Sequence, residues 1–233
     1  MKNRIFFFTI LIVGFFIANP VLAEDEMRQV GPFSKISLRI SAKVYVEQGD
    51  KQSVKIVADS ETLEKIITEV KDRTLNIRFP NDNIFRRWDP GKIEIYISVP
   101  EVDALNVSGS GDIVSDDINT RILDLIVSGS GNIKIEKLTA EKVNSNVSGS
   151  GNIKISEGGV ASELSVRISG SGNVDARGFE ANIVSVQTSG SGNCSVVSNG
   201  EIKARISGSG NVYYSGNPAI DSSVSGSGSV KKR

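Results

Sequence analysis

The chain has 233 residues, 27 basic and 27 acidic side chains, no histidine and a single cysteine, Cys194. A balanced charge gives nothing that would condense on a phosphate backbone, so nucleic acid is excluded as an expected partner. The missing histidines and second cysteine exclude imidazole-activated nucleophiles, thiolate zinc sites and intrachain disulfides, and no metal or other cofactor is implied.

The first residues read as an export signal. Met1-Lys-Asn-Arg4 is basic, Ile5 to Ile17 is apolar, and Asn19-Pro20-Val21-Leu22-Ala23 closes the segment before the acidic Glu24-Asp25-Glu26. A basic start, a short apolar core and small residues at the junction predict a signal peptide over residues 1–23, cleaved after Ala23. The apolar run is short for a bilayer span, so no transmembrane segment is expected after cleavage. Loss of Lys2 and Arg4 leaves 25 basic (27 less 2) against 27 acidic residues, a net charge of −2. The expected location is the periplasm, the cell surface or the medium.

Residues 24–100 alternate in short stretches. Ile36, Leu38 and Ile40 are followed by Val44 and Val46 up to the turn Gln48-Gly49-Asp50. Val54 and Ile56, then Leu75, Ile77 and Phe79, then Ile93, Ile95, Ile97 and Val99 repeat the period of two that marks a half-buried strand. Ser60 followed by Glu61 to Ile67 predicts one short capped helix. This segment is expected to be an irregular β cap at the start of a stack.

From residue 101 to 233 the chain is a repeat. Ser-Gly-Ser-Gly begins at Ser108, Ser128, Ser148, Ser169, Ser189, Ser207 and Ser225, at spacings of 20, 20, 21, 20, 18 and 18 residues. The next residue is Asp112, Asn132, Asn152, Asn173, Asn193, Asn211 or Ser229. Flexible linkers lack periodic aliphatics, but here Leu123, Leu125 and Val127 precede a unit, and Ile133 and Ile135 follow it. The same phase recurs at Leu164, Val166 and Ile168, and at Ile202, Ala204 and Ile206.

This pattern predicts an all-β fold: a right-handed, flattened β-solenoid of about 20-residue coils, each with two strands and two turns. Second turns are expected near Asp116-Asp117, Glu157-Gly158-Gly159, Arg177-Gly178 and Ser215-Gly216-Asn217-Pro218. The glycine pairs share the inward phase of the aliphatics. Gly109 and Gly111, Gly129 and Gly131, Gly149 and Gly151, Gly170 and Gly172, Gly190 and Gly192, Gly208 and Gly210, and Gly226 and Gly228 are therefore read as structural turn residues. The serines and asparagines are expected outside.

The repeats, the Phe33-x-x-Ile36 opening, the Gln48-Gly49-Asp50 turn and the Ile95-x-Ile97-x-Val99-Pro100 lead-in resemble the autotransporter adhesin head GIN domain family. The resemblance covers nearly all of the chain after the signal. It implies a two-sheeted β-helix akin to pectin-lyase-like folds, a role in adhesion or surface attachment, and no assigned catalytic residues. The chain departs from a self-translocating autotransporter in ending at Arg233 with no membrane β-barrel.

The sequence therefore points to a non-enzymatic exported binding protein, adhesin-like or part of an envelope scaffold. Its expected partner is a protein or glycan of the cell surface or envelope, and a repetitive surface of this kind is also compatible with homo-oligomers. The candidate contact is the Pro-bounded loop holding Phe85, Arg86, Arg87 and Trp88, residue types that interfaces favour. The outward Ser and Asn rows are the other candidate surface. Cys194 falls in an inward column and reads as a small buried hydrophobe. The alternative is a polysaccharide-active β-helix enzyme. It would use Asp116 and Glu136, stacked on one outer face beside Lys134 and Lys154, with no aromatic platform expected there to hold a sugar.

Overall fold

The computed structural model describes residues 24–80 and 89–233. The signal segment 1–23 and the loop from Phe85 to Trp88 lie outside the described residues. The strands are β1 (Glu24–Met27), β2 (Lys35–Leu38), β3 (Lys43–Gln48), β4 (Ser53–Ala58), β5 (Ile67–Lys71), β6 (Thr74–Arg78), β7 (Glu94–Val99), β8 (Ala104–Gly109) and β9 (Asp112–Gly129). They continue as β10 (Asn132–Gly149), β11 (Asn152–Gly158), β12 (Val160–Gly170), β13 (Asn173–Gly190), β14 (Cys194–Val197), β15 (Glu201–Gly208), β16 (Asn211–Ser215), β17 (Ala219–Ser225) and β18 (Ser229–Lys232). One helix, α1 (Ser60–Lys65), joins β4 to β5. The fold is an all-β solenoid of about 6 turns, and its seven Ser-Gly-Ser-Gly corners bound those coils.

Coils stack in parallel register with like residues in line. Val127, Val147 and Ile168 pair in sequence, Ile168 pairs with Thr188, and Thr188 with Ile206; all five are buried. Ile113, Ile133, Ile153, Val174, Cys194 and Val212 form a second buried column. Each column shields its members from above and below, so the apolar surface of one coil is removed from water only by its neighbours.

Each complete coil has three inward runs, where two strands were expected. In β10 they are Ile133 and Ile135, then Leu138 and Ala140, then Val143, Ser145 and Val147. Two adjacent outward residues separate the runs, at Glu136-Lys137 and Glu141-Lys142, and the pairing with β9 skips Glu136 and Glu141. The second break contains no glycine or proline, because breaking the alternation of sides needs no turn residue when the chain bends gently.

The middle side of these coils shows how the stack absorbs sequence changes. Phe179 is fully buried although its column holds Leu138 and then Gly158 beneath it. A Cβ on Gly158 would meet the Phe179 ring at 2.5 Å. The glycine makes the space that the ring fills, conserving packed volume across two coils.

At the corners the backbone passes over itself. The Gly129 carbonyl accepts from Ser150 N at 2.8 Å and Gly151 N at 3.0 Å, and the same double acceptance recurs one coil on at Gly149. Gly149 has φ +131°, outside the range of side-chain-bearing residues, and a Cβ there would lie 2.5 Å from the Gly129 oxygen. At Gly151 a Cβ would collide with both the Gly131 carbonyl and the Val127 side chain. The two glycines of a unit are thus required for different reasons: the first for its φ and its stacking on backbone, the second because it faces inward.

Beside the corner runs a hydrogen-bonded ladder. Asn132 Nδ2 donates to Asp112 Oδ1 at 2.7 Å, Asn152 to Asn132 at 2.9 Å, Asn173 to Asn152 at 2.9 Å, and Asn193 and Asn211 continue it at 3.2 Å each. Ser229 Oγ closes it on Asn211 Oδ1 at 2.6 Å. Most of these Oδ1 atoms also accept the backbone N–H of the next rung, as Asn132 Oδ1 does from Asn152 N at 3.2 Å. The first rung is a carboxylate because it only needs to accept.

The amino-terminal region joins the stack out of sequence order. β2 lies between β6 and β8, and β3 between β7 and β9, all parallel. The first coil of the chain is thus sandwiched between two later ones. Beyond it the sheet turns antiparallel: β4 pairs with β7, β1 with β4, and β5 with β6. The β5–β6 hairpin turns on Asp72 (φ 50°) and Arg73 (φ 58°), the two positive values a type I′ turn needs. The cap of α1 is Asp59, one residue ahead of the expected Ser60, since its carboxylate accepts Thr62 N at 2.8 Å.

Two stability measurements follow. Gly149→Val should cost about 3 kcal/mol or more through strain and overpacking, while Ser148→Ala should stay within about 0.5 kcal/mol. Equal losses in thermal unfolding would contradict the corner geometry. Asn152→Asp replaces a donor with an acceptor facing Asn132 Oδ1 and should cost about 1–2 kcal/mol at neutral pH. Repulsion raises the folded-state pKa of the new carboxyl above its unfolded value. The stability of the variant is therefore retained below the unfolded pKa and lost as pH rises through the folded one. Its deficit against the parent should shrink on acidification, read from denaturant melts across pH.

Candidate functional site

The outer residues of the first side of each coil form rows along the axis. One row runs Met27, Lys55, Tyr96, Tyr45, Val114, Lys134, Lys154, Asp175, Ser195, Tyr213 and Lys231. Tyr45 and Tyr96 come from β3 and β7, where Val44 and Val46, and Ile95 and Ile97, take the inward places and leave the ring outside. Tyr45 and Tyr96 stack with centroids 5.0 Å apart and planes at 11°. That separation exceeds ring thickness, so the rings are slipped and their faces only partly covered. Lys43 Nζ sits 5.1 Å from the Tyr45 centroid and Lys55 Nζ 4.9 Å from that of Tyr96.

These rings border a cleft of about 550 Å³ lined also by Glu47, Gln48, Asp116 and Asp117. The expectation that no aromatic platform accompanies Asp116 is therefore corrected. The alternation in β3 and β7 already places both tyrosines outside. What the sequence lacks is any signal that these two strands are neighbours in the stack.

Further along, the carboxylates and lysines are paired. Ile135 aligns with Ser115 and Lys137 with Asp117, which brings Glu136 alongside Asp116. Glu136 forms an ion pair with Lys134, two places before it on the same strand. The hydrogen bond from Lys134 holds the Glu136 carboxyl below the ordinary carboxylate range, helped by the nearby Lys134 and Lys154 charges. A general acid needs a raised pKa, and Glu136 has the opposite. Asp117 meets Lys137 at 3.4 Å, and Asp175 is gripped by Arg177 Nε at 2.8 Å and Nη2 at 2.7 Å. The Arg177 bonds lower the Asp175 pKa. This is a charge-mixed face on which Glu136, Asp117 and Asp175 are each matched with a cation.

Cys194 is fully buried in the Val174–Val212 column, and burial pushes its thiol up to about 12. It is neither a nucleophile nor a ligand in the folded state. Among the described residues no group of three or more acidic or thiol side chains is placed to hold a metal ion. No helix among them is long and apolar enough to cross a membrane.

The profile of one family, the putative auto-transporter adhesin, head GIN domain, matches residues 32–218. The chain belongs to that family. Among solved structures, a putative adhesin from Bacteroides fragilis is 27% identical, with a TM-score of 0.85 over 91% of this chain and 97% of that one. A putative adhesin from Parabacteroides distasonis is 25% identical, with a TM-score of 0.70 over 91% and 97%. A protein of the same organism described as a putative lipid binding protein shares the fold at 24% identity and a TM-score of 0.73, again over 91% and 97%. No curated protein matches the chain. The head GIN domain here contains both tyrosines of the cleft and all but the last of the Ser-Gly-Ser-Gly corners.

Proposed function

We propose that the protein is exported and acts by binding, as an adhesin-like or scaffold component of the cell surface or envelope, with a surface protein or glycan as partner. The observation that carries this reading is the outer face of the solenoid. It is long, and one of its two candidate carboxylates, Glu136, is ion-paired with Lys134 and held below the ordinary carboxylate range. Membership of an adhesin family supports the same class. The signal-like residues 1–23 support export. Three candidates for the contact stand: the Tyr45–Tyr96 cleft, the outward Ser and Asn rows and, on composition alone, the segment from Phe85 to Trp88. Repeated rows would add weak contacts through avidity, while the cleft or the loop would act as a single anchor.

One observation favours a second reading, a polysaccharide-active enzyme: Asp116 shares its cleft with a pair of tyrosines. The two readings separate on turnover. Purified protein incubated with cell-wall and matrix polysaccharides should retain polymer and release no reducing or unsaturated ends. Release that is abolished by Asp116→Asn or Glu136→Gln would replace binding with catalysis. For export, intact-mass measurement of protein recovered from the envelope or medium should give a chain starting at Glu24, and a retained Met1 would refute cleavage after Ala23.

A further inference from the structure

The binding role just described leaves its ligand open, and the cleft narrows it. We infer that the Tyr45–Tyr96 cleft is a saccharide site that takes one or two units of a neutral glycan. This inference rests on the binding role and adds the place and the chemical class of the ligand.

A sugar ring has one apolar C–H face and a rim of hydroxyls. The cleft offers the complement: a tyrosine pair exposed at Tyr96, with carboxylates at Glu47, Asp116 and Asp117 around it. Carboxylates accept two hydroxyls at once, an arrangement suited to vicinal diols. The volume of about 550 Å³ falls in the range of small-ligand sites and is too small for a folded partner.

Charge decides between neutral and acidic glycans. Three carboxylates line the cleft; Asp117 is paired with Lys137, while Glu47 and Asp116 carry no ion pair. Its one ammonium group, Lys55, lies over the Tyr96 ring, while Lys43 covers Tyr45 from beyond the lining. A uronate or sulfate would be repelled. The cleft is also preorganised. Gln48 donates to the Pro100 carbonyl at 2.9 Å and to the Asn119 carbonyl at 3.0 Å, and it accepts from Asn119 N at 2.7 Å. That side chain pins one wall to two neighbouring coils, so binding orders little.

The test uses the whole mature chain on an array of neutral and acidic glycans, followed by calorimetry with the best-bound neutral oligosaccharide. Tyr96→Ala should weaken binding on the order of tenfold through loss of the ring contact. Tyr96→Phe should keep most of the affinity, and Asp116→Asn should weaken it by a similar factor to Tyr96→Ala. Circular dichroism melts identify any variant that fails through folding, and Tyr96→Phe remains informative if Tyr96→Ala unfolds. Preference for acidic glycans, or neutral-glycan binding indifferent to both cleft variants, overturns the site. If no glycan binds but the protein still attaches to intact cells, the ligand class fails and the binding role stands. Failure of both assays removes both.

Discussion

At five successive corners of this solenoid, Gly109 to Gly190, a glycine carbonyl accepts two N–H groups from the coil above, and this fixes how closely backbone passes over backbone. Gly129 O, taking Ser150 N and Gly151 N, leaves no volume for a Cβ on Gly149, while Gly131 O and the Val127 side chain leave none on Gly151. The strand spacing of about 4.8 Å then holds around the whole coil, including the corner, where most chains would splay. With the corner locked to the same rise as the sheets, every residue keeps its neighbour above and below. The aliphatic columns, the amide ladder and the outer rows are all consequences of that single rise.

The rise also explains why the molecule is indifferent to much of its own sequence. Coil length falls from 20 to 18 residues toward the carboxyl end without loss of register at the corners, because the shortening falls on the middle side. There Ser195 to Val197 covers the span that Asp175 to Glu180 covers in the coil before, while Gly190 still sits under Gly208. Gly158 and Phe179 exchange volume within the same side. The side opposite the corner is where the stack tolerates change, and the corner is where it does not.

Much of this was legible in the chain. The inward columns and the asparagine row follow from a strict period of two between identical units, which leaves one register open to them. The third side of each coil was not legible: Glu141-Lys142 breaks the alternation with residues that carry no turn preference. Nor was the placement of β2 and β3 between β6–β7 and β8–β9, since parallel pairing between distant strands leaves no local trace. The tyrosine pair depends on that placement. Tyr45 and Tyr96 each read as ordinary outward residues, and only the long-range neighbour relation of β3 and β7 makes them a surface. The loop from Phe85 to Trp88 drew attention by composition, a signal that says nothing of where a side chain lies.

The asparagine ladder has a direction. Every side-chain amide from Asn132 to Asn211 points its N–H groups toward the preceding coil and its oxygen toward the next. Aligned in this way, their dipoles add along the axis much as peptide dipoles do in a helix, with the positive pole at the amino-terminal end. Asp112 stands at that pole, an anion where an anion is favoured. The row therefore behaves as an electret running the length of the corner, built from neutral side chains and terminated by one charge.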